Sequence, residues 1–384
     1  MPVYLDNAAS TPCDPRVLGA MMPYFFEACG NSLGKHAYGQ AARDGIDAAR
    51  MQVATLLGAK PVEIIFTGGA SEANNLAIKG VASAFATKHP GQKAHFITNA
   101  SEHKAVLVPM QGLENQGHAV TFLKPDRDGV IHAEQVTEAM REDTLLVSIM
   151  AANNEIGVIN DIASIGSACR ERGVLFHTDA TQYVGKVEFN VAHDCIDMLS
   201  MTGHKMYGPK GQGALYIRDE PPVDIVPIIE GGGHEQGLRA GTLNTPGIVG
   251  LGMACELCTQ ELAESTSRVN GMRRRLEVTL VSALPGVRIN GHAKHRLPNI
   301  LNVCFESISG VALIDHITDI ACTSGSAICS TDRGRGASHV LAGLGISDDL
   351  AATALRLSLG RFTTDDELDA AARHVIKVVG SLAG

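Results

Sequence analysis

The chain contains no tryptophan, and aromatic residues make up only 4% of its 384 positions. That scarcity bears on no function. Other absences do. There is no basic excess: the formal net charge is −9, which argues against non-specific binding to nucleic acid, because a phosphate backbone is met by a basic face. No apolar run reaches the ~18 residues that span a bilayer. The first residues lack a basic segment followed by an apolar core, so neither a membrane span nor a signal peptide is expected. The nine cysteines follow no regular spacing, which in a chain this long reads as reduced thiols in a cytosol rather than a disulfide framework. No histidine or cysteine cluster has zinc spacing, and the loop motif for nucleoside triphosphates is missing. Internal repeats and low-complexity segments are absent too.

What remains is ordinary globular composition, 45% hydrophobic and 19% charged, at a length that suggests one large domain and a smaller one. Strand patterns alternate with helical ones through the first two thirds. Strands are predicted at 63–67, 95–99, 119–123, 145–150, 174–179, 198–202 and 213–218, the last as the antiparallel member. Helices are predicted at 16–28, 40–57, 74–87, 104–116, 133–141 and 162–172. Such alternation implies an α/β fold with a mostly parallel sheet covered on both faces. After Pro221-Pro222 the pattern changes. Helical sequence at 242–283 is followed by a strand at 299–305, a helix near 311–317, a further segment at 321–327 and a helical C-terminus. These make a smaller α+β lobe, which the N-terminal arm is expected to join.

The chemistry gathers at strand ends. Met198-Leu-Ser-Met-Thr-Gly-His-Lys205 is a short apolar run feeding a turn through Gly208-Pro209. A lysine there sits where α/β enzymes hold ligands, and a neutral lysine amine forms Schiff bases with carbonyl cofactors. A lone loop lysine is ordinarily just solvated. Thr67-Gly-Gly-Ala70-Ser71-Glu72 is a small-residue turn opening a helix, either a plain cap or an anion cradle. Asp179 closes a strand, as a cap or as an acid that keeps a cofactor ring nitrogen protonated, with Gln182 three residues on. His103 follows a strand in Ser-Glu-His-Lys, as a structural hydrogen bonder or as a ring stacked on a cofactor. Asn153-Asn154-Glu155 is a polar turn or a substrate contact. Arg356 is a surface arginine or a carboxylate grip. Cys322-Thr-Ser-Gly-Ser-Ala-Ile-Cys329 opens a Gly- and Ser-rich stretch, with Arg333 and Arg335 near enough in sequence to favour a thiolate. Cys255-Glu-Leu-Cys258 has redox spacing but lies in helical sequence and reads as packing.

Taken in order along nearly the whole chain, these motifs resemble the cysteine desulfurases of the NifS/IscS type. The segments that carry the resemblance are Tyr-Leu-Asp6-Asn7-Ala-Ala, Phe-Thr-Gly-Gly-Ala-Ser-Glu, Ser-Glu-His103-Lys, Asn-Asn154-Glu-Ile-Gly, His-Thr-Asp179-Ala-Thr-Gln182, Gly-His204-Lys205-Met-Tyr-Gly-Pro-Lys-Gly, the glycine-rich stretch from Gly231 to Thr242, Leu-Pro-Asn-Ile-Leu-Asn and Arg356-Leu-Ser-Leu-Gly-Arg. The resemblance implies a homodimeric fold-type I enzyme with a large domain of seven mostly parallel strands over residues 15–258. Its small domain comprises residues 1–14 and 259–384 and carries the catalytic cysteine. The resemblance also implies pyridoxal 5'-phosphate bonded to Lys205, stacked on His103, and paired through its nitrogen with Asp179 and through its hydroxyl with Gln182. The phosphate falls to Ala70, Ser71, Thr202 and His204, with Thr242 reaching over from the other subunit. Asn154 and Arg356 hold the substrate carboxylate. L-cysteine becomes L-alanine, and its sulfur passes to an enzyme cysteine and on to an acceptor protein in the cytoplasm, whether for iron–sulfur cluster assembly, tRNA thiolation or DNA modification.

Three departures accompany the match. Ile328 stands where the family writes its cysteine, and Cys329 follows one place later. The stretch up to Ser338-His339-Val340-Leu341 is longer. The chain stops at Gly384 without the tail that the housekeeping branch offers its scaffold partner. Cys329 is the expected nucleophile, with Cys322 second. Two other readings stay open: a different reaction on the same cofactor, such as C–S lysis or transamination, and a catalytically silent binding subunit.

Overall fold

The computed structural model describes residues 1–324 and 338–384. Seven strands form one sheet in the order Ile64–Thr67, Gly213–Ile217, Met198–Thr202, Leu175–Asp179, Thr144–Ser148, His95–Asn99, Ala119–Leu123. Gly213–Ile217 runs antiparallel to both its neighbours, and the remaining pairs are parallel. The reason is covalent. Met198–Thr202 and Gly213–Ile217 are joined by a short turn, which permits only a reversal, whereas parallel neighbours need a crossover. Most of the strands are buried along their whole length, as expected of a sheet with helices on both faces.

The carboxyl ends of five parallel strands point the same way, and the loops leaving them carry Gly68-Gly69, His103, Met150, Asp179 and Lys205. At the sheet edge, Gly213 lies against the Gly69 turn. A Cβ at Gly213 would come 2.5 Å from the Met201 carbonyl and 2.8 Å from Gly69 Cα, both backbone. Gly213→Ala is therefore expected to cost about 1–3 kcal/mol through overpacking, read as a lowered midpoint of denaturant unfolding. An unchanged midpoint would contradict this account of the turn.

A four-stranded antiparallel sheet, Thr323–Ser324, Leu355–Ser358, Ile300–Phe305 and Val287–Ile289, forms the second layer system. Val3–Tyr4 pairs in parallel with Ile320–Ala321, so the N-terminal arm starts on this smaller unit. It then crosses to the large sheet, where Thr11 N–H donates to the His204 carbonyl at 2.8 Å and Thr11 Oγ1 accepts from Tyr207 N–H at 2.8 Å. Each unit has its own core, and the helix Thr245–Ala283 serves both. Ile248, Leu251, Cys255 and Cys258 pack into the first core, and Val269, Met272, Leu276 and Leu280 into the second. The expected boundary after residue 258 thus falls inside an unbroken helix of 39 residues. Cys255 and Cys258 are buried thiols of its packing face, and none of the described cysteines forms a disulfide.

Several expected elements differ in detail. The helix predicted at 16–28 is split into Pro15–Met21 and Pro23–Phe26, because Pro23 lacks the N–H that would continue the ladder. The helix predicted from Asn74 begins at Ala70, directly after Gly69. The helix near 311–317 is a single 3₁₀ turn, Leu313–His316. The run from Ala321 contributes two short strands on either side of Cys322, and residues 325–337 lie outside the described ones.

Candidate active site

A cavity of about 770 Å³ opens at the carboxyl ends of the parallel strands, the usual ligand position in open α/β sheets. Lys205, His103, Asp179, Gln182, Ala70, Ser71, Asn154, Thr202, His204 and Arg356 all line it. Ten side chains proposed from separate motifs are thus brought to one place. Thr242 is exposed and lies outside this chain's cavity. Cys329 lies outside the described residues. Thr323 and Ser324 on one side of the 325–337 stretch, and His339 on the other, are cavity-lining.

Lys205 sits at the end of a 3₁₀ turn, Gly203–Lys205, entered straight from the strand. Its Nζ donates to the carbonyls of Ala8 and Ala9 at 2.7 and 2.6 Å. The N-terminal arm is therefore a wall of the site. Gln182 Nε2 donates to the same Ala8 carbonyl at 2.8 Å, which leaves Gln182 Oε1 buried with no partner among the described residues. Asp179 Oδ2 accepts from Asn74 Nδ2 at 2.7 Å and Oδ1 accepts from Thr181 N–H at 3.0 Å.

Two of the three histidines lining the cavity, His204 and His103, are held toward their neutral form. Burial first, and then Lys205, Lys210 and Lys186, bring His204 down to about 4. Burial is also the main cause that lowers His103. His103 Nδ1 accepts the Ala105 N–H at 3.1 Å as the cap of helix Lys104–Asn115, so its proton sits on Nε2. An uncharged ring suits stacking.

Helix Ala70–Lys88 opens into the cavity without a side-chain cap: Gly69, at φ 147°, offers none. Its first-turn N–H groups carry the positive end of the helix dipole and lack a side-chain acceptor. Gly68, Gly69, Ala70 and Ser71 all border the cavity. A phosphate fits where the cap is missing. Glu72, one turn in, is committed elsewhere: Oε1 accepts from Arg239 Nε at 2.9 Å and Oε2 from Gly68 N–H at 2.8 Å.

Arg356 is not the surface residue of the bland alternative. It is 4% exposed, on the strand Leu355–Ser358 beside Thr323. Its two terminal nitrogens donate to the Asn154 carbonyl, Asp6 Oδ1 and Thr323 Oγ1, all within 3.1 Å. Its Nε is buried and lacks a partner among the described residues. Arg356 and Gln182 both line the cavity, and a ligand there would need an acceptor for the guanidinium and a hydrogen-bonding group for the amide. A carboxylate for the arginine and a ring hydroxyl for the glutamine meet that need. The residues present fit pyridoxal phosphate and an amino-acid substrate together.

Cys322, the second nucleophile candidate, lies between two short strands and packs against the second core. Burial pushes its thiol up to about 12, with Asp6 adding to the effect and Arg356 opposing it. At pH 7 that leaves a thiolate fraction on the order of 10⁻⁵, and a thiol is a poor nucleophile.

Sequence reasoning missed Asn74, Asp6 and Lys186. Asn74 carried one weak signal: it lies four residues after Ala70 and so shares the cradle's helix face. Asp6 lay inside a matching motif but without a role. Lys186 carried no signal, because lysine is the residue type least expected indoors.

Residues 3–371 match the family model described as aminotransferase class-V. Cysteine desulfurase IscS of Anaeromyxobacter sp. (strain K) is 48% identical over 374 residues, 97% of this chain and 91% of that protein. Among solved structures, a NifS-like protein superposes with a TM-score of 0.90 at 36% identity, covering 99% of this chain and 100% of that one. A structure described as SspA in complex with cysteine gives a TM-score of 0.82 at 39% identity, covering 94% and 99%. With identity of this level over almost every residue, and a cavity shaped for the group's cofactor, the chain belongs to the class-V aminotransferase family, among its pyridoxal-phosphate-dependent cysteine desulfurases.

Proposed function

We propose that this chain removes the sulfur of L-cysteine, releases L-alanine, and retains the sulfur as a persulfide on Cys329 before handing it to an acceptor protein. The observation that carries this reading is one cavity in which Lys205, Asp179, Gln182 and Arg356 converge. Pyridoxal phosphate bound there supplies an aldehyde for an amine and an electron sink for a substrate carbon.

The chain's own residues do the rest. The uncapped helix at Ala70 and Ser71, with Thr202 and His204, holds the phosphate. Asp179 and Gln182 would hold the ring through its nitrogen and hydroxyl, and His103 would stack on it. Arg356, steadied by Asp6 and Thr323 and helped by Asn154, fixes the substrate carboxylate. That grip aligns the α-hydrogen with the Lys205 amine, which takes the proton and later returns one. The Cys329 thiolate attacks the substrate sulfur. An S–S bond forms, the C–S bond breaks, and its electron pair goes to the β-carbon, which takes up a proton to give the alanine methyl. The test is mass spectrometry of the protein after L-cysteine, with alanine and pyruvate assayed alongside. Alanine with a sulfur mass added to the Cys329 peptide supports the reading. Sulfide with pyruvate and an unmodified protein would make the chain a lyase. Neither product would make it a silent subunit.

Two subunits share the sites in this reading. Leu18, Met22, Phe25, Phe26, Leu33 and Tyr38 are exposed apolar side chains of one N-terminal stretch, the kind of patch that marks an interface. Exposed Thr242 becomes a phosphate contact only for a neighbour. Light scattering is expected to give twice the mass of one chain, and an active monomer would sink the shared-site proposal. A cytoplasmic setting rests on the unpaired thiols and on the finding that no helix among the described residues is long and apolar enough to cross a membrane. The acceptor's surface complementarity is to be sought at the cavity mouth, near Thr323, Ser324 and His339.

A further inference from the structure

Lys186 lies outside the cavity lining, half-buried, and its amine donates to the backbone carbonyl of Lys205 at 3.1 Å. Two further contacts fix the segment. Thr266 Oγ1 donates to the Lys186 carbonyl at 3.2 Å. Gly185, at φ 74°, sits so close to helix Thr245–Ala283 that a Cβ would come 2.7 Å from Cys258 Sγ. Among the described residues no carboxylate pairs with Lys186. The groups that act on it are the Cys258 thiol from that helix and the Lys205 ammonium from the turn. Behind Cys258 lie Arg361 and Glu261. Lys205 itself has an electrostatic influence on His103 and His204, and Lys210 and Lys186 act on His204 as well.

A half-buried ammonium beside another ammonium, with one carbonyl for company, is a costly arrangement. Filling the space alone would be done better by leucine or methionine. The charge acts instead on what it touches. Resting on the reading of Lys205 as the cofactor lysine, we propose that Lys186 is a positioning residue that pins the Lys205 peptide and sets a second positive charge beside it, so that the Lys205 amine sheds its proton at a lower pH. Like charge disfavours the protonated amine, and a lysine so prepared is both a better nucleophile toward an aldehyde and a better base. Burial brings Lys186 itself down to about 8, so the second charge is present at neutral pH and fades above that value.

The test uses full-length wild type, Lys186→Met and Lys186→Arg. The holoenzyme's visible absorption band is titrated with pH. In protein stripped of cofactor, labelling of Lys205 by acetic anhydride is followed against pH by peptide mass spectrometry. Lys186→Met is expected to raise both midpoints by about one pH unit, the size of a single like-charge effect, and Lys186→Arg to leave them near wild type. Unmoved midpoints in a folded Lys186→Met protein would overturn the proposal. If that variant does not fold, Lys186→Gln takes its place with the same two outcomes: midpoints raised by about one pH unit support the proposal, and unmoved midpoints overturn it. Borohydride reduction of the holoenzyme and peptide mapping test the parent reading separately, since cofactor fixed to a different lysine would remove Lys205 rather than Lys186 from its role.

Discussion

Lys205→Ala is expected to abolish the visible absorption of covalently held cofactor and to cut alanine formation by about a thousandfold or more. The size follows from two losses at one position. The amine that holds the aldehyde goes, and so does the base, and a general acid or base alone contributes roughly 10²–10⁴-fold. Lys104 and Lys210 also border the cavity, but neither comes directly off the end of Met198–Thr202 with its amine against the Ala8 and Ala9 carbonyls. The fold should survive, because Lys205 anchors to backbone of the arm, which is also tied down by Asn7 and Thr11. The measurement is absorbance together with alanine assay in a protein whose circular dichroism matches wild type. Turnover within tenfold of wild type would remove Lys205 from the centre of the mechanism.

Cys329→Ser is expected to leave the cofactor's spectrum and its response to added cysteine unchanged, to eliminate the protein persulfide, and to lower alanine release at least ~100-fold. Neither cofactor nor substrate binding needs this thiol, whereas sulfur transfer cannot proceed without it. Cys322→Ser is expected to stay close to wild type, for a thiol held near 12 by burial carries almost no thiolate at working pH. The pair of variants therefore discriminates. Loss of persulfide in Cys322→Ser alone would mean that this half-buried thiol is unmasked during turnover. Near-normal activity in both would remove the desulfurase mechanism.

The sheet was legible because its strands are short apolar runs ended by Gly, Pro or Asn, and that pattern is local. Lys205, Asp179 and His103 were legible for a related reason: each follows such a run, so strand prediction placed all three at the same edge of one sheet. Helix starts were less legible. The helix at Ala70 was expected to start at Asn74, since Gly69 gives no side-chain cap signal, and that missing cap is what suits the site to a phosphate. The surroundings of Arg356 were beyond sequence reasoning. Asp6 and Thr323 meet it from positions 350 and 33 residues away, and no period links them. Lys186 was hidden most completely, being a charged residue whose one hydrogen bond goes to a main-chain carbonyl. Cys329, outside the described residues, still rests on sequence alone.

The N-terminal arm sets an order of events during synthesis. Asn7 bonds to Ser358 across 351 positions, Asp6 holds Arg356, and Ala8 and Ala9 receive the Lys205 amine. The arm is made before everything it will touch. The large sheet can assemble on the ribosome while the arm waits, because contacts so distant in sequence are the slowest to close. Until Leu355–Ser358 emerges, the arm lacks its Ser358 bond and Asp6 lacks its Arg356 partner. A nascent chain stopped short of that strand would display a lysine without the pocket that disciplines it.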